Sequence, residues 1–217
     1  MWFINFLKSS IGKKYIMATS GLLLVLFLCT HVFGNGAIYI SSKAFQGYAD
    51  ALHSLPMLVF IFSISLLVII LAHVCIGLIL FWQNREVSKS RYAVEVDIVQ
   101  EKNSIAAKTM PYSGLFILLF LLVHISGFTF GPEDVPVSEH VKELFSGFFY
   151  GVFYLAGFAA LALHLSHGFW SMLQTFGVNH PRFNCLIGTL TYIVPLFFLI
   201  AFAGIPLYFM TGLGANY

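Results

Sequence analysis

Five long uncharged stretches constrain this chain more than any other feature. They run roughly from Tyr15 to Asn35, Pro56 to Gln83, Met110 to Phe130, Gly147 to Thr175 and Leu186 to Met210. An apolar run of about 18 or more residues can cross a bilayer as a helix. In hydrocarbon the backbone has no water to bond, so such a run must satisfy its own N–H and C=O groups, and the helix does so within one segment. The expected fold is therefore all-α: a single membrane domain over residues 1–217, built as a bundle of five transmembrane helices. Composition agrees, with 59% hydrophobic and only 9% charged residues, where a soluble domain would carry about a quarter charged. A net charge of +2 offers no electrostatic footprint for nucleic acid. Cys29, Cys75 and Cys185 fall in or beside apolar runs without metal-ligand spacing and read as small apolar residues.

Charge placement gives an orientation. Lys8, Lys13 and Lys14 precede the first span, Arg85, Lys89, Arg91, Lys102 and Lys108 separate the second from the third, and Arg182 separates the fourth from the fifth. Only Lys43 and Lys142 of the 11 basic residues fall on the other side. The positive-inside rule then puts the N-terminus in the cytoplasm and the C-terminus outside. The opening MWFINFLKSSIGKK leads into a long apolar run with no clear small-residue cleavage site, so the first span reads as retained. Trp2, Tyr15, Trp82, Tyr112 and Trp170 near the inner ends, with Tyr39, Tyr150 and Tyr208 near the outer ends, suit interface anchors. Between Asn84 and Thr109 basic residues mix with Glu86, Glu95, Asp97 and Glu101, as in a solvated cytoplasmic loop or a docking surface. The connection after the third span is acidic, with Glu133, Asp134, Glu139 and Glu143.

Eight histidines beside so little charge require a reason, because ionisable groups in a membrane are costly. Each of the first four spans holds at least one: His31, His73, His124, and the pair His164 and His167. His31 lies 17 residues after Lys14 and His124 lies 16 after Lys108. At 1.5 Å per residue both sit roughly 25 Å above the cytoplasmic charges. His73 is 17 residues after Pro56, and His164 is 17 after Gly147, which defines a second level nearer the cytoplasm. The first and third spans share the pattern G-x9-H-x2-G (Gly21, His31, Gly34; Gly114, His124, Gly127), and the second and fourth share H-x3-G (His73, Gly77; His164, Gly168). A glycine three or four residues from a histidine shares its helix face, where it leaves room for a flat ligand or for close helix packing.

Two neutral imidazoles facing each other across a bundle suit the two axial positions of a haem iron, an arrangement that favours electron transfer. Zinc usually takes four ligands at one level, and a proton relay usually includes a carboxylate, which no span contains. The expected cofactors are two haem b groups, one at each depth. His167, one turn from His164, is expected to bond a haem propionate or a backbone carbonyl.

Several segments carry a family resemblance: LFLCTHVFGN around His31, ALHSLP before the second span, LAHVCIGL around His73, LLVHISG around His124 and HLSHGFWS around His164. In order and spacing the chain resembles, over essentially its whole length, the five-helix dihaem cytochrome b that anchors succinate dehydrogenases and quinol:fumarate reductases in the bacterial cytoplasmic membrane. The resemblance implies that His31 and His124 bind the distal haem iron, and His73 and His164 the proximal one. It also implies a quinone-reactive membrane subunit that passes electrons between menaquinol or menaquinone and an iron-sulfur subunit. Fumarate and succinate would interconvert on a partner flavoprotein carrying FAD. The resemblance allows a dimer of heterotrimers.

It further places a quinone site near the distal haem, at the outer ends of the first two spans, where Asn35, Gln46, Asp50 and His53 are the polar candidates. Asp50 is the acidic residue of that connection, and His53 is a second candidate base for the expected proton chemistry. Some relatives place a glutamate two residues before the fourth-span histidine, where this chain has Ala162. Two rival classes remain. A cytochrome b serving a hydrogenase or formate dehydrogenase would share the same ligands, while a transporter with a histidine path would show no visible absorption.

Overall fold

The computed structural model describes residues 1–87, 105–132, 134–178, 180–214 and 217, and among these it is helical without strands. A short helix α1 (Trp2–Lys8) ends at Ser9, whose hydroxyl accepts the Gly12 N–H at 3.0 Å and so starts α2 (Ser10–Asn35). A 3-10 turn (Gly36–Tyr39) leads to α3 (Ser42–His53), whose first turn is capped by Ser41 accepting from Ala44 N–H at 3.1 Å. Then follow α4 (Pro56–Val87), α5 (Ile105–Thr129), α6 (Val137–Ser146), α7 (Phe148–Thr175) and α8 (Asn184–Met210). Pro56 opens α4 at a position where its missing N–H costs nothing.

Five of these helices are long and apolar enough to span a membrane: α2, α4, α5, α7 and α8. Their outward faces expose leucine, isoleucine and phenylalanine along their length, a surface that only lipid can cover favourably. The chain is a multi-pass membrane protein.

The helices outrun the uncharged stretches. α2 begins at Ser10 rather than Tyr15, α4 continues past Gln83 to Val87, and α5 starts at Ile105 rather than Met110. Charge limits the part that can sit in hydrocarbon, while backbone hydrogen bonding carries the helix on through lysines and arginines. Two connections expected to be irregular contain the helices α3 and α6, so His53 and His140 are helical residues rather than loop residues. Lys89, Arg91, Glu95, Asp97, Glu101 and Lys102 of the expected cytoplasmic loop, and Glu133 of the acidic connection, lie outside the described residues.

Consecutive spans run antiparallel. α4 packs mainly on α2, α5 mainly on α7, α2 also meets α7, and α8 lies along α7. The buried core is aromatic and belongs to α7 and α8: Tyr154, Phe158, Phe198, Phe202 and Phe209, joined by Phe120 of α5. Val141 and Phe145 of α6, Phe45 of α3 and Ile38 of the 3-10 turn close it at one end. The residues of α4 are apolar all round, and none in its central window is buried within the chain.

Candidate functional site

The four spans bring their histidines together two by two. The rings of His31 (α2) and His124 (α5) have centres 5.9 Å apart, and those of His73 (α4) and His164 (α7) are 6.2 Å apart. Two imidazoles held on opposite sides of one metal ion by bonds of about 2 Å would put their ring centres roughly 6 Å apart. Both pairs therefore have the separation that axial ligation requires. Among the described residues no three His, Cys, Asp or Glu side chains gather into a metal-holding group.

The two pairs have different surroundings. His31 stacks on Phe27 at 5.3 Å and meets Phe202 at 5.8 Å; His124 stacks on Phe120 at 5.7 Å and meets Phe128 at 5.3 Å. This level borders the aromatic core through Phe120 and Phe202, while Phe27 and Phe128 lie on its exposed side. Its one polar branch runs from His124 Nδ1 to the Tyr154 hydroxyl, 3.1 Å, and on to the Tyr150 hydroxyl, 3.0 Å.

The other pair is lined by small polar groups. Ser20 Oγ lies 3.1 Å from His73 Nδ1, and Ser113 Oγ lies 3.3 Å from His164 Nδ1. A Cβ on Gly21 would sit 3.5 Å from His73 Cε1, and one on Gly114 would sit 3.3 Å from His164 Cε1. The imidazoles thus lie directly against the bare backbone of the neighbouring helix.

These contacts repeat between two helix pairs. In α2 packed on α4, Ser20 and Gly21 meet His73, and Met17 Cε lies 3.1 Å from the Cβ position of Gly77. In α5 packed on α7, Ser113 and Gly114 meet His164, and Met110 Cε lies 3.5 Å from that of Gly168. The underlying sequence is M-x2-S-G-x9-H-x2-G in both first members, from Met17 to Gly34 and from Met110 to Gly127. This longer repeat is the signal that identifies Ser20, Ser113, Met17 and Met110. It also revises the role of the glycines. Gly21 and Gly114 sit ten residues before their own helix's histidine and serve the histidine of the next span. Gly34 and Gly127, on the histidine's own face, make room for the tyrosine hydroxyls of Tyr48 and Tyr150, and Gly77 and Gly168 for the methionines. At those four glycines the neighbours are protein side chains, the close-packing use of the two that the sequence allows.

His167 is half-buried on α7. Trp170 and Gln174 continue its face at helical spacing, and the Trp170 Nε1 and Gln174 Nε2 donors are buried without a hydrogen-bond partner. Orphaned buried donors are rare in folded chains, because each costs the desolvation of a polar group. Donors of this kind suit an anionic carboxylate, which only accepts. With the ring separations, this makes the donor set fit a haem, whose propionates are such carboxylates.

The polar candidates on the first connection are placed as follows. Asp50 and His53 are exposed, one turn apart on α3. Gln46 is committed at both ends: its Nε2 donates to Asp50 Oδ1 at 2.8 Å, and its Oε1 accepts the Ser138 N–H at 3.1 Å in the first turn of α6. Asn35 Nδ2 donates to the His31 carbonyl at 2.8 Å. His140, expected in a loop, sits on α6 and places Nε2 at 3.0 Å from the Gly127 carbonyl. That carbonyl is in the last turn of α5, where carbonyls lack intrahelical partners.

Compared with protein-family models, with curated proteins and with solved structures, the chain matches none. Fold and geometry together define a multi-pass helical membrane protein in which the histidines of four spans meet in two pairs.

Proposed function

We propose that the chain is a dihaem cytochrome b, the membrane-anchor and quinone-reactive subunit of a succinate dehydrogenase or quinol:fumarate reductase. The observation that carries the reading is the pair of histidine ring contacts, at 5.9 Å and 6.2 Å, one ring from each of four spans. His31 and His124 hold one haem b, and His73 and His164 the other. When bound, the haems supply one-electron carriers at two depths between a menaquinone or menaquinol and a cytoplasmic iron-sulfur partner, which in turn serves an FAD flavoprotein.

The chain's own residues do the rest. Phe27, Phe120, Phe128 and Phe202 exclude water from the first pair. Ser20 and Ser113 orient the second. Trp170 and Gln174 offer donors to a carboxylate. Asp50 and His53, exposed on α3, take protons at the edge of the membrane region. On the five spanning helices the one carboxylate among the described residues is Glu86, in the last turn of α4, so proton exchange belongs at the edges.

A dithionite-reduced minus oxidised spectrum with a haem count on the purified chain tests this reading. Two b-type haems per polypeptide are expected, falling to one in His73→Ala. A colourless wild-type protein overturns it.

A further inference from the structure

We propose that Ser20 and Ser113 are positioning residues that fix the tautomer of His73 and His164, so that both Nε2 lone pairs face the space between the two rings. This rests on the haem reading above and extends it to residues outside the ligand set.

A serine hydroxyl has one proton to donate and two lone pairs to accept with. Ser20 Oγ lies 2.8 Å from the Ile16 carbonyl and 3.0 Å from the Met17 carbonyl. Carbonyls only accept, so the hydroxyl proton is directed at them. The third contact, His73 Nδ1 at 3.1 Å, must then be one in which the serine oxygen accepts, and Nδ1 carries the proton.

The second site is built the same way. Ser113 Oγ donates to the Met110 carbonyl at 3.0 Å and lies 3.3 Å from His164 Nδ1. In a neutral imidazole with Nδ1 protonated, Nε2 is the free donor atom. Two independent serines, at equivalent places in the two helix pairs, thus prepare both rings alike. The first pair is not built this way, since His124 Nδ1 meets a tyrosine hydroxyl instead.

The consequence is electronic as well as geometric. A ring N–H that donates to an outer partner makes the imidazole a stronger ligand, and loss of such a partner typically lowers metal affinity by about 10–100-fold. A stronger donor favours ferric over ferrous iron, so removing the hydroxyl raises the reduction potential.

The test is a redox titration with haem quantitation on the full chain in four forms: wild type, Ser20→Ala, Ser113→Ala and Ser20→Thr. The alanine variants are expected to retain two haems or to lose the His73–His164 haem selectively. Where that haem is retained, its potential moves upward and that of the His31–His124 haem stays put. Ser20→Thr, which keeps the hydroxyl, is expected to restore wild-type haem content and potential. Two haems with unchanged potentials in both alanine variants overturn the proposal. So does a defect that threonine fails to rescue, because side-chain volume rather than the hydroxyl would then be responsible. A colourless wild type instead overturns the haem reading itself.

Discussion

At the scale of single residues, one atom often decides what a side chain can do. Gln46 was grouped with Asp50 and His53 as a polar candidate, yet both ends of its amide are engaged, and it steadies Asp50 and α6 rather than reaching outward. In the proposed function Asp50, which accepts from Gln46, and the exposed His53 are the groups that exchange protons with a quinol. A positioned general base contributes about 10²–10⁴-fold to such a step. Asp50→Asn and His53→Gln are therefore expected to slow quinol oxidation by about 100-fold or more while both haems remain in the spectrum. Turnover unchanged in both variants would move the quinone site elsewhere. The glycines teach the same lesson, because the identity of the neighbour decides their role: at Gly21 and Gly114 it is an imidazole, at Gly34 and Gly127 a tyrosine hydroxyl.

At the scale of elements, the close approach of α5 to α7 is set by Gly157. A Cβ there would enter the ring of Phe120, which is only 8% exposed and packs at 4.9 Å on Tyr154 and 5.5 Å on Phe158. No free space receives a displaced ring, so Gly157→Ala is expected to destabilise the bundle by about 1–3 kcal/mol despite alanine's better helix propensity. Thermal unfolding in detergent reads this out as a lowered midpoint. Gly34→Ala is the control, since the Tyr48 ring it meets is 38% exposed and can swing away. The short helices α3 and α6 act as clasps on the same end of the bundle: Gln46 joins them to each other, and His140 joins α6 to the last turn of α5.

At the scale of the whole molecule, the bundle divides into two helix pairs, α2 with α4 and α5 with α7, each running out and back with the same internal contacts. Paired rings meet across the boundary between these units, so each proposed haem joins both halves. α8 packs chiefly on α7, with smaller contacts to α6 and α2, and α4 is the span least buried within the chain. By the positive-inside rule, the distribution of lysine and arginine predicts an N-terminus in the cytoplasm. In a background with Cys29, Cys75 and Cys185 changed to alanine, a membrane-impermeant maleimide applied to intact cells is expected to label Leu213→Cys. Ser10→Cys should react only after the membrane is opened, and the opposite pattern would invert the topology.

The sequence by itself determined the five spans, because a long uncharged run leaves a backbone in lipid no alternative to the helix. It also determined which histidines share a depth, because helical rise is constant and lysine, proline and glycine landmarks mark the span ends. Helices α3 and α6 were hidden, since short polar segments carry no span signal and their stability comes from packing: Val141 and Phe145 of α6 join the core beside α7 and α8, and α3 with Phe45 packs on α6 and the 3-10 turn. Only the tertiary structure decided what each glycine faces and which hydroxyl meets which ring nitrogen. Ser20 and His73 lie on different helices far apart in sequence, and a hydrogen bond of 3.1 Å between them exists only once those helices are packed in register.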